Sequence, residues 1–572
     1  MGWSAGTRFA PRVGGVRRRA RNGAPRTRTE WHVAYPERVV PPLSPGALSS
    51  PRTSALLSRS WSTVRPLAWP FAAAWLCYLA LTVLTQSPVF RVYDAGWLPY
   101  VEFLRRVTYT LAPDAFLSAQ QNGAATLPAR LAYLLLMAAA VGGWIWAMRA
   151  ARAVELTRVV PVLVMTAVIT VPLIVLPGLF SDDVYLYNLY GRTISVYGAN
   201  PLHFAPSSFP ADAHLPWVHW KELPSAYGPI WLMLSAALSR LGSDSPSTVI
   251  VVYRVAAVAL HLLTVAALWS ALRTSRSRAA LSLTLFYAWN PLVLLEVVGN
   301  AHNDVLVALF AVLLVTAAMR RAWFPSTFFG ACAVMVKPYA LLLLAPVARQ
   351  IVLQSRGWNV ARQLAAASAV SVGTIVLVSL PLWAGGALLS NVLTNPASAM
   401  YTNTLWELLS DLGARWLGVT TVAIQHPYLD ILRGVALFGA AVWVLTRGAT
   451  RRDVPNVAFR LWLVFCLTAC WVWPWYFVPA LALAPLAGAA RLPAATALTI
   501  GGLLFWATWP ERSPWPFASL FGWRSLVLFG PVVLTLTWAP AHRMVFALLG
   551  VTRHASATDP DHGDVQLQTA AG

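Results

Sequence analysis

The chain has 572 residues, of which 58% are hydrophobic and only 11% are charged. A soluble domain carries about 25% charged residues, so this composition excludes an ordinary soluble protein. A formal net charge of +22 would suggest nucleic-acid binding in a soluble protein. Here most arginines lie in the N-terminal tail and in short connections between apolar runs, which is typical of the cytoplasmic loops of membrane proteins. We therefore expect an all-α polytopic membrane protein in the plasma membrane, with the lipid bilayer as a partner and no nucleic acid.

The apolar runs, taken in order, predict about 14 transmembrane helices with both termini in the cytoplasm. Three long outer segments are expected at residues 86–127, 181–247 and 384–429. They belong to a membrane domain at 66–550, between a disordered basic tail (1–65) and a polar C-terminal tail (551–572). The apolar piece Pro229–Leu241 is too short to cross and predicts a re-entrant or interfacial helix on the outer side.

Two adjacent carboxylates, Asp182 and Asp183, follow the apolar run that ends near Leu179. Carboxylates at a membrane boundary are costly unless they are solvated, paired or used. One interpretation is that they only cap a helix, because Ser-Asp-Asp is a good N-cap sequence. The other is that one of them acts as a general base on an acceptor hydroxyl. A single base is enough if the leaving group is a phosphate, which departs without a proton.

Lys337 stands in an otherwise apolar run beside Pro338, where a bare ammonium costs about 2.5 to 3.5 kcal/mol on insertion scales. It either extends toward the outer interface or binds an anionic group such as a phosphate. Pro338 predicts a break between two short crossings near the outer surface.

Further polar and aromatic residues fall in the predicted outer turns. His302, Asn303 and Asp304 open an apolar run, where they either cap a helix or orient a sugar and a leaving phosphate. Asp182 and Asp183 together with His302 are also a possible site for a divalent cation, although no confident metal site is present. The remaining candidates either form loop turns and an interfacial aromatic belt or contact a sugar: Tyr185, Tyr227, Trp406, Glu407, Trp473 and Trp475.

Several short motifs follow one another in the chain: Asp183-Val184-Tyr185, Gly191-Arg192, Gly198-Ala199-Asn200-Pro201, Ala226–Trp231, Trp289–Leu294, Gly299–Asp304 and Val336-Lys337. In this order they resemble the motifs of actinobacterial alpha-1,6-mannosyltransferases of the MptA/MptB type. The resemblance covers about residues 159–346.

This resemblance implies a glycosyltransferase with a GT-C-like fold and an active site on the extracytoplasmic face. It also implies a polyprenyl-phosphate sugar donor, a glycan or glycolipid acceptor, and inversion at the anomeric carbon. The catalytic Asp of the family maps to Asp183, with Asp182 as the alternative. Lys337, Arg192 and His302 are then expected to bind the donor phosphate.

Two other functions remain open on the sequence. One is a transporter or flippase of lipid-linked glycans, which should show internal repeats and polar residues near the bilayer midplane. The other is a GT-C enzyme that uses a different prenyl-phosphate sugar, because sugar choice depends on a few hydrogen bonds.

Overall fold

A computed structural model describes residues 64–84, 127–176, 181–218, 220–242, 244–276, 279–447, 453–508 and 522–550. Three predictions therefore lie wholly or almost wholly outside the described residues. They are the disordered tail at 1–65, the outer segment at 86–127 and the C-terminal tail at 551–572.

The described residues are helical, and they contain no β-strand, only an isolated bridge between Thr402 and Trp471. The helices of the first half are α1 (Ala68–Leu84), α2 (Leu127–Ala150), α3 (Val160–Ile174), α4 (Asp183–Ser195), α5 (Pro229–Gly242), α6 (Pro246–Ser275), α7 (Ala280–Ala288), α8 (Pro291–Leu294), α9 (Asp304–Met319) and α10 (Trp323–Val334). Those of the second half are α11 (Leu344–Gln354), α12 (Trp358–Ser379), α13 (Ala387–Thr394), α14 (Pro396–Ala399), α15 (Leu405–Leu417), α16 (Thr421–Ile424), α17 (Asp430–Arg447), α18 (Val454–Thr468), α19 (Val478–Ala487), α20 (Leu492–Ala507), α21 (Trp523–Thr537) and α22 (Ala539–Leu549).

Six continuous helical segments are long and apolar enough to cross a membrane, or up to eight if two bent helix pairs each count as one span. The six are Arg65–Leu84, Leu131–Ala153, Thr248–Ser275, Trp358–Leu382, Thr421–Arg447 and Ala489–Ala507. Shorter apolar helices account for most of the other predicted crossings: Val160–Ile174, Asp304–Met319, Pro338–Gln354, Val454–Thr468 and Pro474–Ala487. The described part of the chain is thus all-helical, and it contains helices long and apolar enough to span a membrane.

Local sequence explains where several helices begin. Proline stands at the first position of α5, α6 and α8, where its missing N–H would have no partner in the helix anyway. The Asn290 side chain caps α8 by accepting from the backbone N–H groups of Leu292 and Val293. The Trp289-Asn290-Pro291 motif is therefore a helix start.

The chain also breaks at Lys337, whose backbone is extended between α10 and the 3₁₀ turn Pro338–Leu343. This extended backbone pairs with the start of α5. The N–H of Gly228 donates to the carbonyl of Val336 at 3.0 Å, and the N–H of Ile230 donates to that of Met335 at 3.1 Å. A Cβ on Gly228 would lie 2.1 Å from the Met335 carbonyl oxygen, so only glycine permits this approach.

Candidate active site

Asp183 is the first residue of α4, and its side chain is 17% exposed. Its Oδ2 atom lies 3.5 Å from Nδ1 of His302 and accepts a hydrogen bond from the Tyr187 hydroxyl at 3.3 Å. Tyr187 follows one helical turn later, so the two side chains share a face of α4. A partly open carboxylate is therefore held between two buried polar groups.

Burial acts to raise the pKa of Asp183, but the hydrogen bond to His302 and the nearby charges of His302 and Lys337 outweigh it. The pKa of Asp183 is therefore held below its usual value. At neutral pH the carboxylate is ionised and able to accept a proton.

His302 lies in the loop between the π-helical turn Leu295–Gly299 and α9, with no part of its side chain exposed. Its two ring nitrogens face two different carboxylates. Nδ1 faces Asp183, while Nε2 lies 3.5 Å from Oε2 of Glu296, which is also fully buried. The backbone N–H of His302 donates to the Glu296 carbonyl at 3.1 Å, which closes the loop locally.

A stack of aromatic rings supports His302 from behind. The Trp475 ring lies 3.9 Å from the imidazole at an interplanar angle of 22°. Trp473 stacks on Trp475 at 5.1 Å and 6°, and Trp506 stacks with both. Trp475 and Trp506 are 7% and 1% exposed, so these two rings position His302 and leave little surface for stacking against a sugar.

Lys337 is 4% exposed and forms a buried ion pair with Asp304, in which Nζ donates to Oδ2 at 2.6 Å. The Tyr339 hydroxyl donates to the other carboxylate oxygen at 3.1 Å. Rings of Tyr227, Tyr339 and Tyr476 surround the ammonium at 5.4 to 5.8 Å from their centroids. The predicted phosphate-binding cation is thus already paired with a predicted sugar-binding carboxylate.

The structure brings together Asp183, His302, Asn303 and Tyr227 around one side chain. The Tyr187 hydroxyl lies 3.4 Å from Oδ1 of Asn303 and 3.5 Å from His302, and its ring contacts Tyr227 edge-on at 5.3 Å. Tyr187 was not predicted, although its position one turn after Asp183 was the available signal.

Arg192 is placed differently. It donates to Asp212 at 2.7 Å and pairs with Asp244 at 2.8 Å, on the face of α4 opposite Asp183. Tyr197 also donates to Asp212, at 2.8 Å. These contacts hold Asp212 and Asp244 of the outer segment against α4. The phosphate-binding role of Arg192 stays a prediction.

Trp406 and Glu407 lie at the start of α15 and make structural contacts. Glu407 accepts from the backbone N–H of Asn403 at 2.6 Å, while its own N–H donates to the Thr404 hydroxyl at 3.2 Å. This pattern resembles a capping box, except that the Glu407 side chain bonds the N–H one residue before the N-cap Thr404. The indole of Trp406 donates to the Leu467 carbonyl at 3.0 Å.

The remaining predicted residues lie near the start of α4. Asp182 is its N-cap residue and is 7% exposed. The Tyr185 ring is buried and lies 6.0 Å from the Trp217 ring. Among the described residues, no group of three or more His, Cys, Asp or Glu side chains is arranged to hold a metal ion.

Glu296 is a second residue of the site, after Tyr187, that the sequence analysis missed. A lone carboxylate in the apolar stretch 291–298 was the signal that could have identified it, because such groups are expensive in a membrane helix. Arg254, a charged residue within the apolar helix α6, was also missed, and the same kind of signal could have identified it. It is 2% exposed, and its guanidinium donates to the Gly299 carbonyl at 2.6 and 2.9 Å, which fixes the start of the His302 loop.

Comparison with known proteins agrees with the motifs. The family model described as "Alpha-(1->6)-mannopyranosyltransferase, N-terminal domain" matches residues 89–353. The resemblance to this family is confirmed. Every residue discussed above from Asp182 to Tyr339 lies within the matched region, whereas Trp406, Glu407, Trp473, Trp475 and Trp506 lie beyond it.

Curated relatives carry the same description. An alpha-(1->6)-mannopyranosyltransferase B of Corynebacterium glutamicum is 28% identical over 139 residues, 23% of this chain and 22% of the relative. A probable alpha-(1->6)-mannopyranosyltransferase of Mycolicibacterium smegmatis is 27% identical over 144 residues, 24% of this chain and 25% of the relative. One from Mycobacterium tuberculosis is 26% identical over 141 residues, 24% and 23%. The match thus spans about a quarter of the length of these relatives.

Proposed function

We propose that this chain is a membrane glycosyltransferase that moves mannose from a polyprenyl-phosphate donor to a hydroxyl of a glycan or glycolipid, forming an alpha-1,6 linkage. The observation that carries the proposal is the contact of the Asp183 carboxylate with His302 and Tyr187, beside the buried Lys337, inside the region matched by the family. The fold we propose is GT-C-like, with about 14 crossings and the site on the extracytoplasmic face.

Asp183 is the proposed general base. It accepts the proton of the acceptor hydroxyl while the oxygen of that hydroxyl forms a bond to the anomeric carbon. The bond from this carbon to the phosphate oxygen breaks, and its electron pair leaves with the phosphate. Attack from the opposite side inverts the configuration, so an alpha product requires a beta-linked donor.

Asp183 fits this role better than Asp182 because its carboxylate contacts His302 and Tyr187 and remains 17% exposed. Lys337 provides positive charge for the departing phosphate, and His302 provides a hydrogen-bond donor. We propose that Asn303 and Tyr227, which lie beside Tyr187, contact the sugar.

The prenyl chain of the donor has to stay in the lipid while its phosphate reaches the site. Helix α5 starts where Gly228 pairs with Val336, next to Lys337. Its Met233 and Leu241 side chains are exposed. We propose that the chain lies along α5, between it and neighbouring spans.

The proposal is tested by transfer of radiolabelled mannose from polyprenyl phosphate to a short mannan acceptor, in membranes that contain wild type, Asp183→Asn or Asp182→Asn. Loss of a general base lowers rates by about 10²- to 10⁴-fold, and we expect this loss for Asp183→Asn alone. Equal loss in Asp182→Asn at normal protein level would contradict the assignment of the base. If wild type transfers no mannose, glucose, galactose or arabinose from the corresponding prenyl-phosphate donors, the enzyme proposal is rejected and a transporter or flippase is favoured.

A further inference from the structure

We propose that Trp220 and Trp471 form a remote subsite for the acceptor glycan, where the sugar units behind the reacting one stack while the reacting sugar reaches Asp183. This inference rests on the proposed function, because it names a binding site for the acceptor of that reaction. Neither ring is among the residues that the sequence analysis selected for contact with a sugar.

The two rings stand at the exposed end of a continuous path of aromatic side chains. Trp220 is 36% exposed, and its ring lies 6.0 Å from that of Trp471 at an interplanar angle of 73°. The Trp471 ring lies 6.0 Å from that of Trp473. Trp473 stacks on Trp475, which in turn stacks on His302. Because His302 faces the carboxylate of the proposed base at 3.5 Å, the path joins a surface ring to the candidate active site.

The rings become more exposed with distance from His302. Trp475 is 7% exposed, Trp473 and Trp471 are partly buried, and Trp220 is exposed. Ligand sites are commonly lined by aromatic side chains, and the C–H groups of a sugar pack against the electron-rich face of an indole. Such packing needs an open ring face. The buried end of the path therefore supports the imidazole, while Trp471 and Trp220 keep surface for a ligand.

Backbone hydrogen bonds hold the segment that carries Trp471. Thr402 forms an isolated bridge with Trp471. The N–H of Thr402 donates to the Cys470 carbonyl at 2.8 Å, and its carbonyl accepts from the N–H of Val472 at 3.2 Å. The ring is thus placed before a glycan arrives, which lowers the entropic cost of binding.

The chain that follows Trp220 is anchored as well. The Lys221 carbonyl accepts from the N–H of Ser207 at 2.9 Å. The Leu223 carbonyl accepts from the Tyr190 hydroxyl of α4 at 2.9 Å. Helix α4 begins with the proposed base, so the same helix fixes the base and the loop that carries Trp220.

One polar group next to the bridge is left without a partner. Asn403 follows Thr402, has a left-handed φ of 56° and is 4% exposed. Among the described residues, its Nδ2 atom has no hydrogen-bond partner. A buried donor without a partner costs free energy, and such costs are kept mainly where function requires them. This observation supports a binding role for the segment that pairs with Trp471.

An aromatic belt at the membrane interface is the alternative for these tryptophans. Rings in such a belt face lipid separately. Here the rings contact one another in a line that ends at the candidate active site, and Trp220 and Trp471 come from two segments far apart in sequence. This arrangement favours a path for one extended ligand.

The experiment measures mannosyl transfer to methyl alpha-mannoside and to linear alpha-1,6-linked mannotetraose, in membranes that contain wild type, Trp220→Leu, Trp471→Leu or Trp471→Tyr. Wild type should have the lower KM for the tetrasaccharide, because only this acceptor is long enough to reach the remote rings. Each Leu variant should raise that KM by about 2- to 10-fold, the range of one aromatic contact. The KM for methyl alpha-mannoside and the donor KM should not change.

Two further variants serve as controls. Trp471→Tyr retains a flat ring and should recover part of the loss seen in Trp471→Leu. Trp416→Leu replaces a tryptophan that is 86% exposed on α15, and it should leave the KM for both acceptors unchanged.

The inference is overturned if the Leu variants leave the KM for the tetrasaccharide unchanged, or raise the KM for both acceptors by the same factor. Reduced membrane yield with unchanged KM values would indicate an interfacial belt and would also overturn it. If Trp471→Leu fails to reach the membrane, Trp220→Leu decides. An inactive wild type defeats the proposed function, whereas an active wild type with the same KM for both acceptors defeats only this inference.

Discussion

The buried pair of Lys337 and Asp304 gives the sharpest test of how the site balances charge. Its atoms are 2.6 Å apart, and the side chains are 6% and 0% exposed. At an effective dielectric constant of about 20, the attraction between two unit charges at that distance is about 6 kcal/mol. Desolvation offsets most of this, and removing one partner of such a pair typically costs about 3–5 kcal/mol.

We therefore expect Lys337→Met to lower the free energy of unfolding by about 3–5 kcal/mol, because it leaves the Asp304 carboxylate buried beside the Tyr339 hydroxyl without its cationic partner. Asp304→Asn should cost less, since its amide oxygen still accepts from Lys337 while its amide N–H donates to the Tyr339 hydroxyl oxygen. The double variant Lys337→Met/Asp304→Asn should be more stable than Lys337→Met alone, because no buried charge is left without its partner.

Activity separates the structural role of Lys337 from phosphate binding. If Lys337 binds the donor phosphate, the double variant recovers stability but remains inactive, while Asp304→Asn keeps measurable transfer. The assays are apparent melting temperature in detergent and mannosyl transfer in membranes, with Lys221→Met as an exposed-lysine control. Full transfer activity in the stable double variant would refute the phosphate role.

Three further predictions follow from contacts in the same region. Gly228→Ala should abolish folding or transfer because its Cβ would lie 2.1 Å from the Met335 carbonyl oxygen. The control Gly142→Ala, whose Cβ would meet nothing within 4 Å, should match wild type. Membrane yield and transfer rate are measured for both variants. Asp212→Asn should clearly lower the apparent melting temperature, because the Asp212 side chain is fully buried against Arg192. Asp244→Asn should change the melting temperature little, because the Asp244 side chain is 77% exposed. Equal shifts in the two variants would contradict the larger contribution of the buried pair. The pKa of Asp183 is lowered on folding, so its ionised form contributes stability that is lost only as pH falls through that lowered pKa. Because the carboxylate stays ionised above that pKa, the transfer rate should show no acidic limb from Asp183 between about pH 5 and 7. An acidic limb in this range that is removed specifically by Asp183→Asn would contradict this.

The membrane character and several helix boundaries could be predicted from sequence because they depend on local properties. Hydropathy predicted membrane-spanning helices, and Pro338 predicted the break at Lys337. The short helices were harder to interpret as crossings. Val160–Ile174 has 15 residues, so composition alone does not decide how it lies in a bilayer.

Two roles proposed from sequence could have been examined further with helical geometry. Arg192 follows Asp183 by nine residues, which is about 900° of rotation at 3.6 residues per turn, and so it lies on the opposite face. Glu407 follows Thr404 by three residues, which is the capping-box spacing. Both signals were present in the sequence, and they depended on recognising where α4 and α15 begin.

The pairings inside the site could not have been predicted in this way, because they join residues far apart in sequence. Asp183 and His302 are separated by 119 positions, and Trp506 reaches Glu296 across 210. Motifs identified most of the participants, but only the packing of α4 and α20 around the His302 loop determines which nitrogen faces which carboxylate.

These pairings have a consequence for how a donor phosphate would bind. Both groups proposed to bind the phosphate already face carboxylates, Lys337 with Asp304 and His302 with Asp183, so the phosphate has to compete for them. The pairing keeps each group desolvated and fixed before the donor arrives, which reduces reorganisation during the reaction. It also limits affinity for the donor. Asp304→Asn weakens the competitor without removing Lys337, so under the proposed mechanism it should lower the donor KM even where it lowers kcat.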